Sequence, residues 1–242
     1  MRYAVVTGIT KGIGRAIAEQ LLRGEGYFVI GNYSKDDAAA AEFIAANKKY
    51  SQRLMVLKQE LSSYETAYAF AERVVEVTQT VDVLVLNSGT TDRAPFGEIT
   101  KEGWMRVMDV NLNAPFFLIQ NLSDHMRMDT GRIILIGSLM GEYPHARSIP
   151  YGVSKAAVHT LARYLMKYFS PKGITVNAVE PGFTDTPWHA EKEPEHRRWI
   201  EDKIALHRFA KSEEIAALCM HLIENQYING AVLHIDGGYS YE

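Results

Sequence analysis

Two short runs, Val83-Leu84-Val85-Leu86 and Ile133-Ile134-Leu135-Ile136, carry no polar residue on either alternate face. Side chains of a strand point alternately to opposite sides, so an unbroken apolar run must be covered on both. The stretches between such runs read as helices, which makes helices the covering layers and the strands parallel. Strand-like segments fall at residues 2–7, 27–32, 54–58, 81–86, 132–136, 174–179 and 232–235. Seven strands alternating with helices predict a three-layer, doubly wound α/β fold on a seven-stranded parallel sheet.

With 242 residues the chain suits one domain spanning 1–242. No internal repeat or low-complexity tract divides it, and residues 38–41, all alanine, read as part of an amphipathic helix. Lys plus Arg number 26 against 29 Asp plus Glu, with no long run of one sign, which argues against a nucleic-acid partner. The single cysteine, Cys219, lies in the apolar helical pattern Ile215, Ala216, Leu218, Leu222 and reads as a small buried hydrophobe. Met1-Arg2-Tyr3 runs straight into strand-like Ala4-Val5-Val6, so no secretory leader is expected. No apolar run reaches the length of a membrane span, and a cytoplasmic setting without a membrane partner is the expectation.

The first strand-to-helix junction reads Thr7-Gly8-Ile9-Thr10-Lys11-Gly12-Ile13-Gly14 and opens a helix through Arg15, Ala16, Ile17, Leu21 and Leu22. Glycines there permit a tight turn, let backbone approach a pyrophosphate, and let helix pack on strand, while the N–H groups of the helix start face the anion. That position points to dinucleotide binding on a Rossmann-like sheet. A second constellation is Tyr151-Gly152-Val153-Ser154-Lys155, with Ser138 thirteen residues before Tyr151. On one helix the i, i+4 spacing puts phenol and ammonium on one face. A nearby positive charge lowers a phenol from near ~10 by roughly 1–3 units, into the range of a usable acid/base. Alone the pattern is weak, because 13 tyrosines and 12 lysines supply about 0.6 chance matches in such a chain.

The order of these motifs resembles the short-chain dehydrogenase/reductase family. Its T-G-x-x-x-G-x-G pattern is matched by Thr7, Gly8, Gly12 and Gly14, and its N-N-A-G by Leu86-Asn87-Ser88-Gly89, with two departures. Its V-N-L matches Val110-Asn111-Leu112, its serine Ser138, its Y-x-x-x-K Tyr151 and Lys155, and its P-G Pro181-Gly182. The closing segment Asn229 to Tyr239 looks like the family's terminal strand and turn, so the likeness covers the whole chain. It implies an enzyme whose catalytic set is Asn111, Ser138, Tyr151 and Lys155. Tyr151 would be the general acid/base, Ser138 the group that holds the substrate oxygen, and Lys155 the group that lowers the phenol and bonds the nicotinamide ribose. Asn111 would bend its helix and hold a water linking Lys155 to solvent.

The same resemblance implies cofactor contacts from Gly8, Thr10, Lys11, Gly12, Ile13 and Gly14, and from Tyr33, Ser34 and Lys35 after the second strand. Glu60 and Leu61 would flank adenine, and Asn87, Ser88 and Gly89 would also contact the cofactor. Tyr151, Lys155, Pro181, Gly182, Thr184 and Thr186 would surround the nicotinamide. No carboxylate stands at Tyr33, where relatives preferring NAD(H) carry aspartate, and Lys11 resembles the base that many NADP-dependent members place near the 2'-phosphate. NADP(H) is therefore the expected cofactor, with NAD(H) the alternative; Asp36 and Asp37 are expected to start the next helix.

Specificity should lie in the loops beyond the strands' carboxyl ends, at 90–96, 139–149 and 188–206, the last a small substrate lid with Trp188 and Trp199 as apolar walls. His145, His189 and His196 show no metal-ligand spacing, and no metal is expected. The likeness is greatest to 3-oxoacyl carrier-protein reductases and the neighbouring sugar and polyol dehydrogenases. It implies a ketone or acyl-thioester substrate, with Arg127 and Lys172 as basic residues for a carrier protein. Small residues Ala156, Ala157 and Ala162 on the helix after Tyr151 fit packing in a homotetramer. An oxidative alcohol, sugar or steroid dehydrogenase and a non-catalytic nucleotide-binding regulator are the alternatives.

Overall fold

Each predicted strand is found, and all seven join one sheet in the order β3-β2-β1-β4-β5-β6-β7. They are β1 (Arg2–Thr7), β2 (Tyr27–Tyr33), β3 (Leu54–Lys58), β4 (Val83–Leu86), β5 (Arg132–Ile136), β6 (Thr175–Pro181) and β7 (Val232–Ile235). Every pairing is parallel. The computed structural model describes all residues except Glu25, Ala146, Glu191 and Glu242, and only the backbone of Tyr241. Ala146 and Glu191, which fall within two of the predicted specificity loops, thus lie outside the described residues.

The helices are α1 (Gly12–Arg23), α2 (Asp37–Ala46), α3 (Tyr64–Val77), α4 (Lys101–Met108), α5 (Ala114–Leu122), α6 (Ile149–Phe169), α7 (Pro194–Lys203) and α8 (Ser212–Glu224). One face of the sheet packs Val5, Leu84 and Ile133 against Phe70, Leu118, Val158 and Phe169. The other packs Val6, Val85 and Ile134 against Ile17, Leu21, Phe43, Cys219 and Leu222. Both apolar runs are therefore covered twice, as their composition demands. Chain order reverses beside β1, between β1 and β4, and the crevice at the strands' carboxyl ends opens there.

Three local differences follow from long-range contacts. β4 starts at Val83 rather than 81: just before it, buried Asp82 accepts the Tyr3 N–H at 2.7 Å and pairs with the Arg127 guanidinium, and Val81 bridges Met126. β6 runs on to Pro181 and so carries Glu180, an acid with no exposed surface, into the sheet. On α6, Ala162 lies inside the core and is not a surface for helix packing between subunits. Cys219 is buried as expected, and burial pushes its thiol up to about 12.

Candidate active site

The glycine turn has the geometry its composition implies. Gly8 and Gly12 take φ values of +68° and +51°, where a side chain is strained, and a Cβ on Gly12 would come within 3.0 Å of the Thr186 methyl. Asn32 anchors the turn from β2: its amide oxygen accepts the Gly8 N–H at 3.2 Å and its amide nitrogen donates to the Gln59 carbonyl at 2.7 Å. Thr7 ties β1 to the end of β4, its hydroxyl accepting the N–H groups of Asn87 and Ser88 at 2.8 and 2.9 Å. Gly14 differs from the cofactor contact expected of it, because it does not line the crevice. A Cβ there would lie 2.3 Å from the Gly8 carbonyl oxygen, so its function is close helix-to-turn packing.

The crevice is a cleft of about 720 Å³. It is lined by Gly8, Thr10, Lys11, Gly12 and Ile13 at one wall, by Tyr33, Ser34, Lys35, Glu60 and Leu61 at one end, and by Asn87, Ser88 and Gly89 along the floor. Ser138, Tyr151, Lys155, Pro181, Gly182, Thr184 and Thr186 line the other end. Backbone N–H groups at a helix start and glycines whose Cβ positions are filled by neighbours form a cradle that fits a dinucleotide pyrophosphate.

At the far end, Ser138 leaves β5 and Tyr151 and Lys155 rise from the first turns of α6. The Ser138 hydroxyl accepts the Met140 N–H at 3.2 Å and neighbours the Tyr151 phenol closely enough to favour its ionised form. Lys155 Nζ donates to the Ile136 carbonyl at 2.7 Å and stands 5.7 Å from the centre of the Tyr151 ring. The electrostatics differ from the expectation that Lys155 lowers the phenol. Burial raises Tyr151 above its ordinary value, and the Ser138 hydroxyl offsets part of that rise. Burial lowers Lys155 itself to about 8.

Asn111 lies behind the cleft, not in its lining. It sits in a π-helical turn, Asp109–Asn113, between α4 and α5. Its side chain is a clamp: the oxygen accepts the Thr90 N–H at 2.7 Å, and the nitrogen donates to the Thr90 carbonyl and to Ser154 Oγ, each at 2.9 Å. Ser154 in turn donates to the Tyr151 carbonyl at 2.7 Å. Thr90 and Ser154 had no motif to mark them, yet they connect Asn111 to the turn bearing Tyr151. Arg106 adds a second hold on the same loop, donating to Thr90 Oγ1 at 2.6 Å.

At the other end of the cleft, Lys11 is ion-paired with Asp36, whose carboxylate also caps α2 by accepting the Ala39 N–H at 2.9 Å. The pair holds the Asp36 carboxyl below its usual range. Lys35 stands 3.5 Å from Glu60, and Tyr33 donates its hydroxyl to Asp37. Lysines and hydroxyls thus surround this end, but two of the bases already face carboxylates.

Near the cleft mouth, Trp188 packs on Tyr151 with ring centres 5.7 Å apart, and Phe183 contacts His189, Phe209 and Tyr239. Trp199 is not the wall residue expected: it stacks on His196, carries Lys203 over its ring, and lies outside the cleft lining. Arg127 and Lys172, expected at a docking surface, pair with Asp82 and with Asp124, the latter at 3.5 Å. In this region a short 3-10 turn, Pro187–His189, precedes α7.

A doubly wound sheet with a glycine cradle at its switch point and a Ser–Tyr–Lys group beyond it defines a dinucleotide-dependent oxidoreductase. A family model described as enoyl-(acyl carrier protein) reductase matches residues 8–240. The chain belongs to the short-chain dehydrogenase/reductase family. It is 33% identical to the 3-oxoacyl-(acyl-carrier-protein) reductase of Aquifex aeolicus, over 98% of this chain and 96% of that protein. It is also 33% identical to glucose 1-dehydrogenase 2 of Bacillus subtilis, over 98% and 94%. A short-chain dehydrogenase from Burkholderia cenocepacia J2315, in complex with NADP, superposes with a TM-score of 0.92 at 30% identity, covering 99% of this chain and 98% of that one.

Proposed function

We propose that this enzyme uses NADP(H) to reduce a ketone to a secondary alcohol, with a 3-oxoacyl thioester as the leading substrate class. The observation that carries the reaction type is the convergence of Ser138, Tyr151 and Lys155 at the end of one cleft. A bound nicotinamide dinucleotide supplies the hydride. The chain's own residues manage the proton. Tyr151 donates its phenolic hydrogen to the carbonyl oxygen as that oxygen gains charge, and in oxidation takes it back. A phenol held above its ordinary value is kept protonated, the state a general acid needs. Ser138 holds the substrate oxygen by its hydroxyl. Lys155 would hold the ribose and restore the tyrosine proton, and Asn111 supports this by fixing Ser154 and the Thr90 loop.

The cofactor preference rests on Tyr33, Ser34, Lys35 and Lys11 around the adenine end, where no carboxylate occupies the Tyr33 position. It also draws on the NADP complex of the B. cenocepacia relative. Glu60 and Leu61 would flank adenine. The thioester reading draws on the A. aeolicus reductase, while the glucose dehydrogenase at equal identity keeps an oxidative sugar or alcohol reaction in view. The pairing of Arg127 and Lys172 with local acids leaves a carrier protein less support than a thioester as such. Residues 188–206 would act as the substrate lid, since Trp188 already touches Tyr151. Assembly as a homotetramer is supported by exposed Tyr164 and Tyr168 on α6.

The deciding assay offers NADPH and NADH with 3-oxoacyl thioesters, simple ketones, sugars and alcohols, and follows nicotinamide absorbance. NADPH oxidation with the thioester is the expected result. Turnover only of NAD with a sugar or alcohol would replace this reading by the dehydrogenase one. Dinucleotide binding without any turnover would favour a regulator.

A further inference from the structure

Beneath Ser138 lies a buried polar group that the reaction described above does not use. His159 is one helical turn after Lys155 on α6, Glu180 is on β6, His234 on β7, and Glu142 in the segment after β5. His159 and Glu180 have relative exposures of 3% and 0%, and among the described residues His159 Nδ1 and Glu180 Oε2 are buried without a hydrogen-bond partner, while Glu180 Oε1 faces only the His234 ring. Unpaired groups of this kind are costly in a protein interior unless something holds them there.

The His159 ring fills a space made for it by two glycines. A Cβ on Gly137 would meet Nε2 at 2.1 Å, and one on Gly141 would meet Cε1 at 2.7 Å. These glycines flank Ser138, so the loop carrying the serine is folded over the imidazole. The ring then makes one directed contact with that loop: Nε2 accepts the Ser138 backbone N–H at 3.4 Å. A neutral imidazole that accepts at Nε2 carries its hydrogen on Nδ1. That nitrogen faces Glu180 Oε2 at 3.7 Å, an electrostatic contact longer than a hydrogen bond, and Glu180 Oε1 faces His234 Nδ1 at 3.2 Å. His234 Nε2 reaches the partly exposed Glu142 at 3.7 Å, which connects the buried acid to the surface.

We propose that His159 is a positioning residue for Ser138, held in the Nδ1–H tautomer by the buried carboxylate of Glu180. The inference rests on the reading of Ser138 as the group that holds the substrate oxygen. In this tautomer the Nε2 lone pair fixes the Ser138 N–H from below, and the serine hydroxyl is aimed at Tyr151. In the opposite tautomer an Nε2–H would oppose the Ser138 N–H and push the loop away. Ligand atoms of Glu142, His159 and Glu180 lie within 4.8 Å of one another, a spacing open to a metal ion. Yet the His159 lone pair points at Ser138, not into that cluster, so the cluster is a proton-bearing one.

The charged neighbours give the arrangement a pH dependence. Burial, helped by Lys155 and Arg163 on its own helix and by His234 from β7, lowers His159 to about 4, so it stays neutral. Glu180 faces His234, Glu142 and Asp236, and burial raises it to about 7. Above that value the carboxylate enforces the tautomer. As pH falls through it, Glu180 takes up a proton, the constraint on His159 Nδ1 is lost, and turnover falls.

Two measurements test this. A long-range proton–nitrogen spectrum of the 15N-histidine-labelled enzyme, assigned with His159→Gln, should show His159 protonated at Nδ1 and bare at Nε2 at pH 8; a proton on Nε2 overturns the proposal. In kinetics, Ser138→Ala, His159→Leu, His159→Gln and Glu180→Gln are compared using the best carbonyl substrate. His159→Leu should lose up to about 100-fold in kcat, the scale of a misplaced reacting group, with dinucleotide affinity unchanged. His159→Gln, which keeps an acceptor near the Nε2 position, should recover most of that loss, and both it and Glu180→Gln should lack the acid limb near pH 7. If Ser138→Ala keeps full activity, the reading of the site fails. If Ser138→Ala is inactive while His159→Leu matches the parent in kcat and pH profile, this inference alone fails. Should His159→Leu not fold, the spectrum and the two amide variants decide.

Discussion

Replacing Asn111 by alanine should cost both stability and activity, and the structure sets the scale. The side chain is 2% exposed and makes three hydrogen bonds, to the Thr90 N–H, the Thr90 carbonyl and Ser154 Oγ. Alanine leaves those partners facing a small void. A buried polar group without its partner costs about 1–3 kcal/mol, and water entering the void recovers part of it. Ser154 retains its bond to the Tyr151 carbonyl, so the two groups of Thr90 carry most of the penalty. The expected loss is roughly 3 kcal/mol, a large share of the ~5–15 kcal/mol that stabilises a folded domain. For a chain of this size that corresponds to a fall in Tm of about 6–12 °C. The assay is thermal and urea unfolding of parent and variant, with the midpoint and slope compared. Activity should fall more steeply than stability at a temperature where both proteins are folded, since the Thr90 loop and the Tyr151 turn lose their common clamp. A Tm within about 2 °C of the parent, below the shift ~1 kcal/mol produces, would show that the clamp is not structural.

Asp36→Asn keeps a good cap on α2 but frees Lys11, so the ratio of NADPH to NADH efficiency should rise. Steady-state kinetics with both cofactors checks it, and an unchanged ratio would remove Lys11 from the selectivity account. Gly14→Ala puts a methyl group 2.3 Å from the Gly8 carbonyl oxygen and 2.5 Å from Asn87 Nδ2, so dinucleotide binding by fluorescence titration should be lost or the chain should not fold. Lys155 is lowered to about 8, so its ammonium is lost as pH rises through that value. The kcat/KM for reduction, which reports free-enzyme groups, should therefore fall above pH 8.

The sheet was legible because doubly apolar runs such as Val83 to Leu86 have only one stable environment. The Ser138, Tyr151 and Lys155 group was legible because one turn and one helix fix their relation locally. What escaped is set by topology. Asp82, at the head of β4, pairs with Arg127, which lies 45 positions away. Glu142, His159, Glu180 and His234 come from four separate segments, and no spacing rule joins them. The i, i+4 spacing correctly put Tyr151 and Lys155 on one face, but the charge effect inferred from it ignored burial, which dominates both groups. Trp199 looked like a pocket wall by composition alone, and its place on the outer side of α7 follows from Ile200 taking the buried face.

The central claim is that Tyr151 moves the proton. Tyr151→Phe removes one oxygen from the end of the cleft and leaves the glycine cradle intact, so NADPH affinity should match the parent. Single-turnover oxidation of bound NADPH by the carbonyl substrate should slow by about 10²–10⁴-fold, the usual worth of a positioned acid/base. Near-parental single-turnover rates in Tyr151→Phe, with cofactor bound, would contradict the account.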